Sequence, residues 1–241
     1  MDERIRAQLL RLNREFYQTF APSFSETRQR LQPGVLRILE TLPLDASVLD
    51  LGCSNGELAR RLAARGHAGT YVGLDASPAL LGAAREDQPH PRARFEEADL
   101  ADPAWNALPE APFDRIFAFA TLHHLPGDAL RRRVVQAVHD LLAEDGRAVI
   151  SVWNFLASER LQARVVPWDA IELREQDVEP GDHLMDWRRG GYGLRYVHHF
   201  SPEELADLAR RCGFAVEETF HSDGEGGKLG LYQVWAPASE S

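Results

Sequence analysis

Three acids close three successive apolar runs of the chain, and the first opens a glycine-bearing turn. Val48–Leu49–Asp50–Leu51 leads into Gly52–Cys53–Ser54–Asn55–Gly56, Thr70–Leu74 ends on Asp75, and Ala93–Glu97 leads through Ala98 to Asp99 and Leu100. Glycine at a strand end lets backbone amides approach a ligand closely, and the free N–H groups around Gly52, Ser54 and Gly56 suit a carboxylate. Asp50 is placed to receive an ammonium group, directly or through water. Asp75, one strand over, suits the two hydroxyls of a ribose. Ala98 can lie against an adenine ring while the Asp99 carboxylate accepts from its exocyclic amine, with Leu100 beside them. A further run, Phe113–Phe119, ends at Ala120–Thr121, where a reacting centre falls if ligands occupy the carboxyl edge of a parallel sheet.

A ligand that joins an amino-acid part to a ribose diol and an adenine meets all of these groups: S-adenosylmethionine, leaving S-adenosylhomocysteine after methyl transfer. Two other readings use the same letters. A dinucleotide-binding fold also pairs a glycine turn with a ribose acid, but Gly52-x-Ser54-x-Gly56 lacks the G-x-G-x-x-G spacing. A hydrolase nucleophile elbow has the same outline, yet Cys53–Ser54 has no well-placed partners to activate it.

The elements that must position these residues alternate. Strands are expected at Ser47–Leu51, Thr70–Leu74, Ala93–Glu97, Phe113–Phe119 and Arg147–Val152, with helices near Glu57–Ala64, after Ser77–Pro78, and over Asp128–Leu142. Serine followed by proline is a helix start, and Asp145–Gly146 reads as the turn into the fifth strand. Such alternation predicts an α/β fold, a mostly parallel sheet with helices on both faces. Ahead of it, Ile5, Leu9, Leu12, Phe16 and Phe20 recur at helical spacing until Pro22, and a second helix covers Val35–Thr41, so residues 1–42 form a helical cap. Between Phe155 and Tyr196 no period is sustained, and residues 155–200 read as an inserted lid or substrate-recognition segment within one domain of 1–241. A helix from Ser201 to Cys212 and strands near Phe214–His221 and Leu229–Trp235 close the chain.

With 37 acidic against 27 basic residues in 241, the formal charge is −10, which gives no general footprint for nucleic acid. The two cysteines, Cys53 and Cys212, form no spaced pair, and no apolar run is long enough to span a bilayer. A cytoplasmic protein without a membrane segment is expected. Arg131–Arg132–Arg133 reads as a solvated helix face. The pairs His123–His124 and His198–His199 lack metal-ligand spacing.

Val48–Gly56, Gly73–Ser77, Glu97–Leu100 and Phe113–Leu125 resemble the class I, Rossmann-like methyltransferases over about residues 45–152. The resemblance implies a seven-stranded sheet whose last strand is antiparallel. The flanks resemble the eukaryotic wobble-uridine carboxymethyl tRNA methyltransferases: Tyr17 with Ala21–Arg28 at the start, Gly181–Trp187 against a Gly-Asp-x-x-x-Pro-Trp element, and Arg195–Phe200 against an Arg-Tyr-Tyr-His-x-Phe element. Asp186 replaces the proline of the former and Val197 the second tyrosine of the latter. The resemblance implies transfer of a methyl group to a carboxylate oxygen on a modified tRNA uridine. It also implies a small zinc-bearing activating partner, as that family uses in eukaryotes.

A carboxylate is nucleophilic at neutral pH, so the enzyme needs position, alignment and exclusion of water more than a general base. Arg195 is the candidate to orient that carboxylate bidentately, with Tyr196 and His198 donating beside it. Tyr17 and Arg28 are expected to close over the amino-acid end of the cofactor. A small-molecule O- or N-methyltransferase, with residues 155–200 as its pocket lid, is the alternative that the negative charge supports. A cofactor-binding regulatory subunit without turnover is the third reading.

Overall fold

The computed structural model describes residues 1–27, 30–86, 88–224 and 226–238, without the side chains of residues 22–27. Two helices, α1 (Glu3–Thr27) and α2 (Pro33–Glu40), precede the alternating core. The core runs β1 (Val48–Leu51), α3 (Glu57–Ala64), β2 (Tyr71–Asp75), α4 (Pro78–Arg85), β3 (Ala93–Glu97), β4 (Phe113–Phe119), α5 (Asp128–Leu141) and β5 (Leu142–Trp153). A short helix α6 (Glu159–Gln162) and strands β6 (Val165–Val166), β7 (Asp182–Trp187) and β8 (Gly193–His198) follow. Then come α7 (Pro202–Arg211), β9 (Phe214–Ser222) and β10 (Gly230–Pro237).

One seven-stranded sheet has the order β3-β2-β1-β4-β5-β10-β9. The first five strands are parallel and the last strand, β10, runs antiparallel to both its neighbours. This is the expected sheet. Its central strands are buried on both faces, whereas the edge strands β3 and β9 keep exposed residues. Leu49, Leu51, Ile116 and Ile150 pack with Val134, Val138, Leu205 and Leu208 of α5 and α7, and Val48, Tyr71, Phe117 and Val149 pack with Leu39, Leu58, Leu62 and Leu81 of α2, α3 and α4. Parallel pairing of β1 with β2 and β4 brings the ends of all three to one edge.

Four local expectations are corrected. Helix α1 runs through Pro22 to Thr27. A proline inside a helix costs about 3 kcal/mol, which the burial of Leu9, Phe16, Phe20 and Ala21 ahead of it can offset. Asp145–Gly146 is a bulge within β5 rather than a turn ahead of it, because β4 pairs first with Leu142 and then with Arg147. The stretch from Phe155 to Tyr196 is not irregular: β6-β7-β8 form a second, antiparallel sheet. Its strands hide from a period-2 reading because Leu184, Met185 and Asp186 are all buried, and so are Arg195 to His198. Finally, Arg131 is not solvated. It is 3% exposed and donates to Leu125 O, to Tyr196 Oη and to Glu179 Oε2.

That arginine belongs to a buried polar network which fastens the small sheet to the large one. Asp182 accepts from Tyr196 Oη at 2.6 Å, faces His198 Nδ1 at 2.7 Å and accepts from Glu179 N at 2.9 Å. His198 Nε2 lies 2.7 Å from Glu204 Oε1 at the start of α7. With a carboxylate at each nitrogen the ring is held as imidazolium. Burial alone would lower its pKa, but the hydrogen bonds to Asp182 and Glu204 prevail and raise it. No helix among the described residues is long and apolar enough to cross a membrane.

A histidine charged more readily in the folded than in the unfolded state contributes stability that is complete below about pH 6.5 and fades as pH rises through its raised value. The urea midpoint of the wild type is therefore expected to fall more steeply between pH 6 and pH 8.5 than that of His198→Gln. Parallel curves for the two proteins would contradict the assignment.

Candidate active site

Helix α1 lies across the carboxyl edge of the large sheet, and the cleft beneath it is the candidate site. Leu10, Asn13, Arg14 and Tyr17 line it from α1, Asp50, Gly52 and Ser54 from the end of β1, and Asp75 and Ser77 from the end of β2. Ala98, Asp99 and Leu100 follow β3, and Phe119, Ala120, Thr121 and His124 follow β4. Thus Tyr17, Asp50, Gly52, Ser54, Asp75, Ala98, Asp99, Leu100 and Ala120 are brought together. Gly56 stands behind this wall as the residue before α3, and Arg28 lies outside the described residues.

The turn after β1 is built for a close approach. Gly52 has φ +78°, and a Cβ there would run into Thr121 Oγ1, which itself donates to Leu51 O at 2.8 Å. Ser54 and Ala120 carry positive φ (+53° and +52°) without being glycine, so both rims of the cleft hold strained backbone. Asp75 accepts from the amides of Ser77 at 2.8 Å and Ser54 at 2.9 Å, one on each oxygen. Those bonds fix the carboxylate plane and leave a lone pair on each oxygen for a diol. Burial raises its pKa despite them. Asp99 accepts from Arg14 of α1 and from its own loop at Ala101 N.

Asp50 is 4% exposed and accepts from Tyr71 Oη at 2.6 Å. Burial pushes its carboxyl up to about 7, the Tyr71 bond opposing and the Asp75 charge adding to the rise. Burial likewise pushes the Cys53 thiol well up, which leaves it neutral and without nucleophilic character. Ser54 Oγ is buried with no hydrogen-bond partner among the described residues. An orphaned hydroxyl, a glycine turn that a Cβ would block, and two acids at neighbouring strand tips fit an amino-acid nucleoside. They do not by themselves name its substituent.

Beyond the cleft, Arg195 makes a second feature. It is 7% exposed, and its guanidinium carbon lies 4.9 Å from the Trp153 ring, 5.3 Å from Phe16 and 5.6 Å from Trp187. Its Nε is buried without a partner, and among the described residues no carboxylate forms an ion pair with it. The box adjoins the cleft: Phe16 packs edge-on against Tyr17, and His123, which accepts from Trp153 N, lies with its ring 4.2 Å from that of His124, tilted by 57°. Tyr196 and His198 are not brought to either place. Successive strand residues face opposite sides, so both point away from Arg195 and into the Asp182 network.

The chain holds further cleft residues that the motifs miss. Asn13 donates to His124 O and Tyr196 O, both at 3.1 Å, and accepts from Tyr196 N at 2.8 Å, which clamps α1 to both sheets. Tyr17 Oη lies 2.7 Å from His124 Nε2. The signal was present in α1: Leu10, Asn13, Arg14, Tyr17 and Gln18 form a second stripe at helical spacing beside the apolar one. Trp168 serves the core under α1, whereas Trp187 forms a wall of the Arg195 box.

Residues 24–219 match the family described as a methyltransferase domain. The chain is 28% identical over 175 residues to a tRNA (carboxymethyluridine(34)-5-O)-methyltransferase from Arabidopsis thaliana, covering 70% of this chain and 39% of that protein. It is 35% identical over 149 residues to a trans-aconitate 2-methyltransferase from Methylobacterium radiotolerans, covering 59% of this chain and 54% of the relative. The chain thus spans less than two thirds of either relative. Among solved structures, a SAM-dependent methyltransferase from Methanosarcina mazei superposes with a TM-score of 0.65 at 19% identity, covering 87% of this chain and 99% of that one.

An Asp50 carboxyl with a pKa about 7 receives an ammonium only when ionised. S-adenosylhomocysteine affinity, measured by calorimetry, is expected to rise between pH 6 and 7.5 and then level. Asp50→Asn should weaken it at pH 8 by about tenfold or more and remove the pH dependence. The raised pKa destabilises the ligand-free fold increasingly as pH rises from about 4 to 7, so the same variant should melt higher than wild type at pH 8. An unchanged affinity profile would exclude Asp50 from ligand binding.

Proposed function

Since this chain belongs to the methyltransferase domain family and is an S-adenosylmethionine-dependent methyltransferase, we propose that its acceptor is a carboxylate oxygen held by Arg195. The observation that carries this reading is a guanidinium buried in aromatic rings with no carboxylate paired to it among the described residues. Burying an unpaired charge is costly, and ring faces offset only about 0.5–2 kcal/mol of that cost each. A planar carboxylate arriving with the substrate completes the pair bidentately. Bound S-adenosylmethionine supplies an electrophilic methyl carbon on its sulfonium. Asp50, Asp75, Asp99 and Ser54 are the residues proposed to hold that cofactor, with Ala98, Leu100 and Ala120 against it and the Gly52 and Gly56 turn giving room. Tyr17 closes the cleft from α1, while Tyr196 and His198 act by holding β8, and with it Arg195, in place.

The names of the two relatives share one chemical feature, a carboxylate-bearing acceptor: a carboxymethyl group on uridine in one, trans-aconitate in the other. The finer reading is a carboxymethylated tRNA uridine, supported by the order of the Tyr17, Gly181–Trp187 and Arg195–Phe200 elements. A small carboxylic acid is the second reading, favoured by the charge of −10. The acceptor also decides whether an activating protein partner is needed.

Labelled methyl transfer to bulk tRNA carrying carboxymethyluridine, and in parallel to trans-aconitate, separates the two. With whichever acceptor turns over, Arg195→Ala should lower kcat/KM by about a hundredfold (about 2.7 kcal/mol) and leave S-adenosylhomocysteine binding unchanged. Arg195→Lys should restore only part of the loss. Full activity of Arg195→Ala would remove the carboxylate role.

A further inference from the structure

We propose that the pocket between Arg160, Arg164 and Arg188 binds a phosphate group of the methyl acceptor. This rests on the acceptor reading above but uses different residues. Arg160, Ala163, Arg164 and Arg188 line a second cleft, at the junction of α6, β6 and the β7–β8 turn. Beneath it Asp186, 4% exposed, stands between two of the guanidiniums: Arg164 Nε at 3.1 Å and Arg188 Nε at 2.6 Å. The strand itself is pinned there, Asp186 N donating to Arg164 O at 3.0 Å.

Asp186 forms ion pairs with both Arg164 and Arg188, the latter also a hydrogen bond, while Arg160 has no ion pair among the described residues. Three positive charges therefore face one negative one, in a chain whose overall balance is −10. The excess suits an anion of charge one or two. Guanidinium forks match phosphate oxygens in bidentate geometry, and holding them in advance spares the entropy of ordering long side chains on binding. Asp186 pairs across the ladder with Leu194 and so faces the side of the small sheet opposite Arg195, while Trp187, the residue after Asp186, walls the Arg195 box. An acceptor with its carboxylate in the box reaches the arginines by passing round the β7–β8 turn, past Trp187. That phosphate belongs either to a nucleic-acid backbone or to a small phosphorylated acid.

The test is binding without any methyl donor, comparing the wild type with Arg160→Ala/Arg188→Ala. The probes are bulk tRNA, by anisotropy across a salt series, and inorganic phosphate, by calorimetry. The expected result is a tRNA dissociation constant about tenfold higher in the double variant, with the salt slope reduced by about one to two. S-adenosylhomocysteine affinity should be unchanged, which shows that the variant is folded. Binding of inorganic phosphate but not tRNA by the wild type, lost in the double variant, supports the same site with a small acceptor. The proposal is overturned if the wild type binds neither probe, or if both proteins bind them alike. Neither of those results bears on Arg195, because an Arg195→Ala protein with intact phosphate binding and no methyl transfer leaves the carboxylate reading standing.

Discussion

The guanidinium of Arg195 lies among Trp153, Phe16 and Trp187, with no acid among the described residues to neutralise it. Everything around it serves to keep it there. β8 carries it, the Asp182 network fastens β8 to α5 and α7, and Asn13 fixes the backbone of the next residue, Tyr196, to α1. A buried cation is stable only if its surroundings are rigid enough to stop it turning out to water. The cost of that rigidity is visible in fully satisfied polar groups on one face of β8 and aromatic rings on the other. The second sheet thus does more than cover the cleft, because it presents a charge that the described residues leave unanswered.

Helix α1 joins the two halves of the site. Its apolar stripe, Ile5, Leu9 and Leu12, packs on the small sheet, and its polar stripe, Asn13, Arg14 and Tyr17, faces the cleft over the large one. A shift of α1 would therefore move the cofactor roof and the Phe16 wall of the acceptor box together. At the opposite rim Ser54 and Ala120 hold strained backbone.

The large sheet was legible because parallel strands buried on both faces leave unbroken apolar runs ending in glycine or acid, as Val48–Gly56 and Tyr71–Asp75 do. The small sheet was not. Its strands interleave Asp182, Asp186, Arg195 and His198 with leucine and tyrosine, and a charged residue in a buried strand removes the alternation on which a strand reading depends. Arg131 misled for the same reason: three successive arginines look solvated, but one of them turns inward to Glu179. Local motifs located Arg195 without its surroundings. The box around it is assembled from α1, β5, β7 and β8, and only tertiary contact reveals that no described carboxylate pairs with it. Conversely, Tyr196 and His198 followed Arg195 in the motif but face the other way.

The acceptor atom is the central claim, and the stability of the transferred methyl group to mild alkali reports on it most directly. Product labelled on its methyl should release that label as volatile methanol within minutes at high pH, as an ester of a carboxylate does. Label that stays on the acceptor under the same treatment would place the methyl on nitrogen or on an ether oxygen, and the role given to Arg195 would fall.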